Sequence, residues 1–506
     1  MKPYKYILSI ALAGMGFGLS SCGSEWLDIN DNTQEPVEDY YTKEANIQQA
    51  IVAAYDPLHW FDFANNYCGM NIYPEVLADQ VLPGGGDVSD MNQWKDVFNF
   101  NVAPTVVLKD NYSNAYSGVK RCNDAIFYMY NYWQPSTPTE LANREYYESQ
   151  ALALRAFFYS QLWKWWGNIA YYTTNLSGDY LATQYTADEV YEFIIDDLER
   201  VLQLNRLKDK CSGEELGRVT KHFVYMLYAE VVMYQNDDTR RATALQYMEE
   251  IINSGKYDLM PDFAAIWDVT GEWCQESIFE INYSDYQGAR NWEWGGTAGG
   301  TVVPGMILPR NYKMLDGIHD KGGWGFGCVR RSTYDSYEAG DVRRDASIWE
   351  PEEDSYDKGY QDTGLFLAKY AGRIGGNSAQ IADAILNYNN NLRLYRFSEC
   401  LLNAAELGSP NAQAYLDRVR QRAGLSSVPA TLDNIIQERA LEFLGEGKRY
   451  WDLIRTGLAK DYLVADTDIV DGRTGNYTDN KKYLPFPQEE IDKCRGSLKQ
   501  NYQYFQ

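Results

Sequence analysis

The segment Thr431–Gly457, TLDNIIQERALEFLGEGKRYWDLIRTG, combines a clear helical signal with an unusual density of charge. Thr431 is a helix start, because its hydroxyl can accept from a first-turn amide that lacks a helical partner. Leu432, Ile435, Ile436, Ala440, Phe443 and Leu444 follow at steps of three and four, which places them on one buried stripe. Gly445 and Gly447 stand where this helix should stop, since glycine takes a positive φ without strain. A second short run, Tyr450, Trp451, Leu453 and Ile454, ends at Gly457.

Glu438, Arg439, Glu442, Glu446, Arg449, Asp452 and Arg455 are threaded through this apolar frame. Glu438 and Glu442 are four apart and share a helical face; Glu446 extends the row if the helix continues. Carboxylates so placed could do paired acid–base work. They could also be neutralised by arginines beside a core. The structural reading is preferred, because ion-pair networks commonly imitate active sites.

Composition narrows the function classes. The 506 residues suffice for a large core, in one domain or several. Aromatic residues reach 15%, with 42 Tyr and 14 Trp, whose flat faces and polar edges suit ligand surfaces as well as cores. The formal charge of −25 argues against binding a phosphate backbone, so no nucleic-acid partner is expected; a neutral polysaccharide would meet no repulsion. His59, His222 and His319 form no metal-binding pair of the HExxH kind, and no cofactor is implied. The eight Cys show no CxxC spacing. Seven remain once Cys22 is set aside, an odd number that cannot pair completely, and most read as small buried residues.

Residues 1–21 read as an export signal: Lys2 and Lys5, then an apolar stretch, Tyr6 to Leu19, too short and glycine-rich for a membrane span. It ends in LSSC, which reads as a lipoprotein cleavage site with Cys22 as the lipidated residue. Without residues 1–21, which hold two lysines and no acid, the charge becomes −27. Residues 22–40 read as the lipidated N-terminus and tether, and 41–506 as a single α-helical domain. Helices are expected over Ala45–His59, Asn111–Tyr132, Tyr146–Trp166, Thr186–Leu204, Gly217–Gln235, Thr239–Ser254, Asn391–Leu407 and from Ser409-Pro410 to Gly424. Thr186 and Glu189 form a capping box. Cys274–Tyr283 reads as a strand. Two stretches, 60–96 and 285–327, are rich in aromatics and glycine without a sustained period, and read as large irregular loops. Paired helices suggest a tetratricopeptide-like scaffold, although no strict 34-residue period is present.

ERALEFLGEGKRYWDLIRTG resembles the C-terminal signature of the SusD/RagB family, surface glycan-binding lipoproteins of Bacteroidetes. Other segments agree: GSEWLDIN after Cys22, NYSNAYSGVKRCNDAI, LRAFFY with WWGN, CQESIFEINY, DVRRDASI, NLRLYRFSECLLNAAEL, YLPFPQEEI and KQNYQYFQ. The resemblance runs from Cys22 to Gln506. It implies a mainly α, SusD-like fold: a scaffold of tetratricopeptide-like helical pairs with large loop regions and a few short strands. It further implies a lipid anchor in the outer membrane at the cell surface, an oligosaccharide ligand and a SusC-like TonB-dependent transporter as partner, with no covalent chemistry.

A sugar ring needs a flat aromatic platform with carboxylate, amide or guanidinium groups near its hydroxyl rim. Trp60, Tyr67, Asn92 and Trp94 answer this description in the first loop region; Tyr286, Arg290, Trp292, Trp294 and Trp324 do so in the second. Other readings are a glycoside hydrolase using two acids, and a protein-interaction scaffold without a small ligand. PGGG at 83–86 lacks the Lys-Ser/Thr of a phosphate loop, GGWGFG does not match the dinucleotide fingerprint, and no G-x-S-x-G string is present.

Overall fold

The computed structural model describes residues 35–62, 67–175, 181–285, 290, 299–377, 383–466 and 471–506. The export signal, Cys22 and most of the tether lie outside these residues. The described chain is mainly α-helical, with six short strands. Its helices stack in chain order: Lys109–Asn131 packs on Pro138–Trp166, then follow Ala187–Leu204, Lys221–Gln235, Arg241–Asn253, Phe397–Glu406 and Ala412–Arg422. This is the expected scaffold of helical pairs. A small residue sits at the first crossing, where a Cβ on Gly118 would lie 2.4 Å from the Phe158 ring.

Local signals account for most boundaries. The Thr186–Glu189 capping box forms, with the Thr186 amide donating to Glu189 at 2.8 Å. Thr431 accepts from the Asn434 amide and starts Leu432–Glu442; Gly445 and Gly447, both at positive φ, follow its end. The helix expected from Tyr146 begins at Pro138, where Thr137 and Glu140 make a second capping box. Its first turns are solvent-facing, so no apolar stripe marks them. Ser409 accepts from the Asn411 amide, and the helix starts after Asn411 rather than at Pro410.

Two expectations are corrected by tertiary pairing. Asn391–Leu407 is not one helix: Leu392–Arg396 is a strand paired antiparallel with Ser277–Ile281, and the helix begins at Phe397. Cross-strand packing and the backbone ladder override local propensity there. The stretches 60–96 and 285–327 are not loops throughout. The first holds helices Tyr73–Leu77 and Asn92–Phe98 and strand Val81–Gly84; the second holds helix Val303–Ile307 and the start of strand Phe326–Val329.

The charges of the opening segment form a buried network. Arg343 donates to Asp341 (2.8 and 2.9 Å), Glu438 (2.6 Å) and Glu442 (3.1 Å). Arg396 donates to Glu446 (2.7 and 2.8 Å), Glu442 (3.0 Å) and Glu276 (2.5 Å). Arg422 joins Glu276 and Glu442, Arg420 joins Glu438, and Lys369 joins Glu446. Burial alone would raise the Glu442 carboxyl, but Arg422, Arg396 and Arg343 hold it well below the usual carboxylate range. Glu446 is likewise lowered, burial being outweighed by Arg396 and Lys369. The structural reading of the acidic row is thus the one realised.

Both carboxyls bind protons less readily folded than unfolded. Their stabilisation is therefore present above the ordinary glutamate value of about 4.3 and is lost as pH falls through the folded values. Glu442→Gln leaves three arginines short of a charge in the interior, at a cost of about 3–5 kcal/mol. Thermal unfolding followed by circular dichroism should show a lower midpoint for this variant at pH 7, and a shallower loss of midpoint than wild type between pH 7 and pH 3.

Candidate ligand-binding site

Pairing of Val81–Gly84 with Phe326–Val329 joins the two aromatic-rich stretches. The strands run antiparallel with Val81 opposite Val329, Leu82 opposite Cys328 and Gly84 opposite Phe326. The segments flanking this ladder enclose a cavity of about 280 Å3, lined by Tyr67, Asp90, Met91, Arg310, Asn311, Gly323, Trp324 and Phe326. That is near the lower end of the range of about 300–1,000 Å3 for small-molecule sites. A second cavity, under the signature segment between Trp165 and Trp451, has a volume of about 40 Å3 and is too small for a sugar ring.

The lining offers what a sugar needs. Tyr67 and Trp324 meet edge to face, with centroids 5.5 Å apart and planes at 74°, and both are half-buried. Partial burial raises the Tyr67 hydroxyl, which stays protonated and able to donate. Asp90 supplies a carboxylate, Asn311 an amide and Arg310 a guanidinium. Asp90 is held by the Gly86 amide at 2.8 Å, and Asn311 donates to Asp357 at 2.8 Å. No hydrogen bond or ion pair to the Arg310 guanidinium is present among the described residues. Tyr67, Met91 and Asn311 all lie in the left-handed region, at φ 49°, 50° and 51°. Such backbone costs of order 1–3 kcal/mol per residue and concentrates at functional sites; here three cases meet in one cavity.

The sequence candidates divide sharply. Tyr67 and Trp324 come together in the cavity. Trp94 does not reach it: it is 0% exposed, packed between Tyr73 and Phe326, and supports the floor from behind. Arg290 is also 0% exposed; it pairs with Asp62 at 2.9 Å and donates to the His59 carbonyl at 2.6 Å, tying loop ends together. Trp60 lies elsewhere, under the Arg121 guanidinium at 4.8 Å. Asn92 is exposed at a helix start, where its amide turns to donate to the Ser89 and Val88 carbonyls. Tyr286, Trp292 and Trp294 lie outside the described residues. Asp90, Met91, Arg310, Asn311, Gly323 and Phe326 were not foreseen, because only strand pairing brings them together. The one available signal was their position beside the glycine-rich strings PGGG and GGWGFG.

Among the described residues no His/Cys/Asp/Glu cluster could hold a metal ion, and no helix is long and apolar enough to cross a membrane. The seven cysteines among the described residues are free thiols, five of them buried.

A sequence model of the SusD family matches residues 343–504. Surface glycan-binding protein A from Bacteroides thetaiotaomicron, solved in complex with laminarihexaose, is 49% identical and superposes with a TM-score of 0.85 over 90% of this chain and 99% of that one. A laminarin-binding SusD-like protein is 28% identical, with a TM-score of 0.81 over 91% of this chain and 99% of that one. SusD-like protein P2 from Formosa agariphila is 25% identical over the full length of both chains.

Trp94 and Trp324 should separate in a stability experiment. Trp94→Ala empties a fully buried indole site and costs about 3–5 kcal/mol. Trp324→Ala removes a half-exposed ring and should leave the thermal midpoint nearly unchanged in calorimetry.

Proposed function

The chain belongs to the SusD family, and from that premise we propose that it is a cell-surface glycan-binding lipoprotein whose ligand enters the Tyr67–Trp324 cavity. The observation that carries this reading is the meeting of an aromatic pair with a carboxylate, an amide and a guanidinium in one strained, solvent-reached cavity. The tyrosine and tryptophan rings would take the C–H face of a pyranose, and Asp90, Asn311 and Arg310 its hydroxyl rim. The ligand proposed is a laminarin-type glucan. Its support is the laminarihexaose bound by the 49%-identical protein and the laminarin bound by the 28%-identical one. A chain of net charge −25 is compatible with such a neutral polymer.

Capture would precede delivery to a SusC-like TonB-dependent transporter, with the protein held at the outer membrane by lipid on Cys22. No bond is made or broken in this scheme. Delivery requires release, so the affinity should lie between micromolar and millimolar, about 4–8 kcal/mol. Support for a binding role without catalysis is the description of the relatives as glycan-binding proteins.

Calorimetric titration of the chain without residues 1–22 with laminarihexaose should give one site in this affinity range. Tyr67→Ala and Trp324→Ala should each weaken it by about tenfold, as loss of a stacking ring does. Chromatography of the incubated oligosaccharide should show unshortened hexaose. Shortened products would establish a hydrolase instead. Absence of binding to laminarihexaose and to a wider polysaccharide panel would leave the transporter as the partner that defines the function.

A further inference from the structure

We propose that Lys95 is a positioning residue of this cavity, clamping the loop Gly84–Met91 so that Asp90 and Met91 face the ligand beside Arg310. The proposal rests on the reading of the cavity as the glycan site, but the clamp itself is a property of the loop and can be measured without ligand. Lys95 lies on the short helix Asn92–Phe98 and is buried, with 9% exposure. Its ammonium turns back under the preceding loop and donates to the Asp87 carbonyl at 2.6 Å and the Asp90 carbonyl at 2.5 Å. It also lies over the Tyr360 ring, 4.6 Å from the centroid. Its head group is thereby committed to backbone and ring, so it acts on ligand only through the loop.

The loop needs such a device. It begins with Gly84 and Gly85 at positive φ and ends with Met91 in the left-handed region, so its backbone gains little from regular structure. Other ties fix the start of the loop to neighbouring segments and close the loop on itself. Gly85 donates to the Gly325 carbonyl and accepts from the Tyr360 amide, both at 2.8 Å, and Gly86 donates to the Asp90 carboxylate. Lys95 holds the Asp87 and Asp90 carbonyls on either side of the loop's tip, while Asn92 at the start of the same helix reaches the Val88 and Ser89 carbonyls between them. A buried ammonium on two carbonyls is a strong, directional tie.

The placement of this loop also decides where Arg310 lies. The guanidinium lies against Gly86, where a Cβ would stand 2.0 Å from Nη1 and 3.0 Å from Cζ. The absent side chain at Gly86 leaves a slot, and the clamped loop keeps that slot in register with the cavity. A site preformed in this way avoids the ordering cost of a mobile loop on binding.

Hydrogen exchange by mass spectrometry and calorimetric titration with laminarihexaose, on the detergent-solubilised full chain, test this. In Lys95→Met the amides of residues 86–91 should exchange at least about tenfold faster, and affinity should fall about tenfold through the lost preorganisation. Lys95→Arg, which can still donate to two carbonyls, should retain most of the protection. Gly86→Ala should weaken binding by displacing Arg310 while leaving exchange of the loop near wild type, and it should add nothing to Arg310→Ala in the double variant. Unchanged exchange in Lys95→Met overturns the clamp. Faster exchange with unchanged affinity overturns the positioning role. Should Lys95→Met fail to fold, the same exchange readout on Lys95→Gln decides. If wild type binds no laminarihexaose, the glycan reading fails, while the exchange result still accepts or rejects the clamp.

Discussion

Glu442 accepts from Arg343, Arg396 and Arg422, and the rest of the structure is arranged around this convergence. The partners come from distant segments: Arg343 after Asp341, Arg396 at the junction of strand and helix, Arg422 at the end of Ala412–Arg422. Glu276, Lys369, Arg420, Glu438 and Glu446 extend the same network. Each buried ion carries a desolvation penalty of several kcal/mol, which one partner at poor geometry would not offset. Several short, directed bonds per carboxylate do offset it. The network is satisfied only when every segment has arrived, so it favours one arrangement of the last third of the chain over its compact competitors.

This anchor bears on the ligand cavity through packing. Glu75 accepts from the amide of Gly447, the residue after Glu446, at 2.8 Å, and belongs to the helix Tyr73–Leu77. Tyr73 on that helix packs on Trp94, and Trp94 on Phe326, which lines the cavity. The Glu75 carboxyl is pushed up to about 8, chiefly by burial against the opposing Gly447 hydrogen bond. A continuous path of buried contacts therefore runs from the signature segment to the cavity floor, while the residues facing ligand sit on loops above it. Rigidity below and variable loops above is the usual division of labour in a binding protein.

Sequence periodicity determined the helices well, because their buried stripes and caps are local. The Thr186–Glu189 capping box, the Thr431 cap and the strand within Cys274–Tyr283 all follow from neighbours within a few residues. The charge pattern of Glu438, Glu442 and Glu446 also pointed correctly to ion pairing. Motif resemblance supplied the family and with it the helical-pair scaffold. Boundaries failed where the deciding partner was remote. Leu392–Arg396 became a strand because Ser277–Ile281 lies beside it, and the solvent-facing turns after Pro138 carry no apolar signal.

For the cavity the division is sharper. The sequence alone located two aromatic-rich regions and named Tyr67 and Trp324 among the residues suited to a sugar. It could not separate these from Trp94 and Arg290, since exposure is not written in residue type: an indole suits a core and a platform equally, and a guanidinium suits a clamp and a ligand contact equally. Only the tertiary structure decided this. Antiparallel pairing of Val81–Gly84 with Phe326–Val329 set Asp90, Arg310 and Asn311 around Tyr67 and Trp324, while Trp94 turned inward between Tyr73 and Phe326 and Arg290 was buried against Asp62. Those residues are separated by more than two hundred positions in the chain, and no local physical preference connects them.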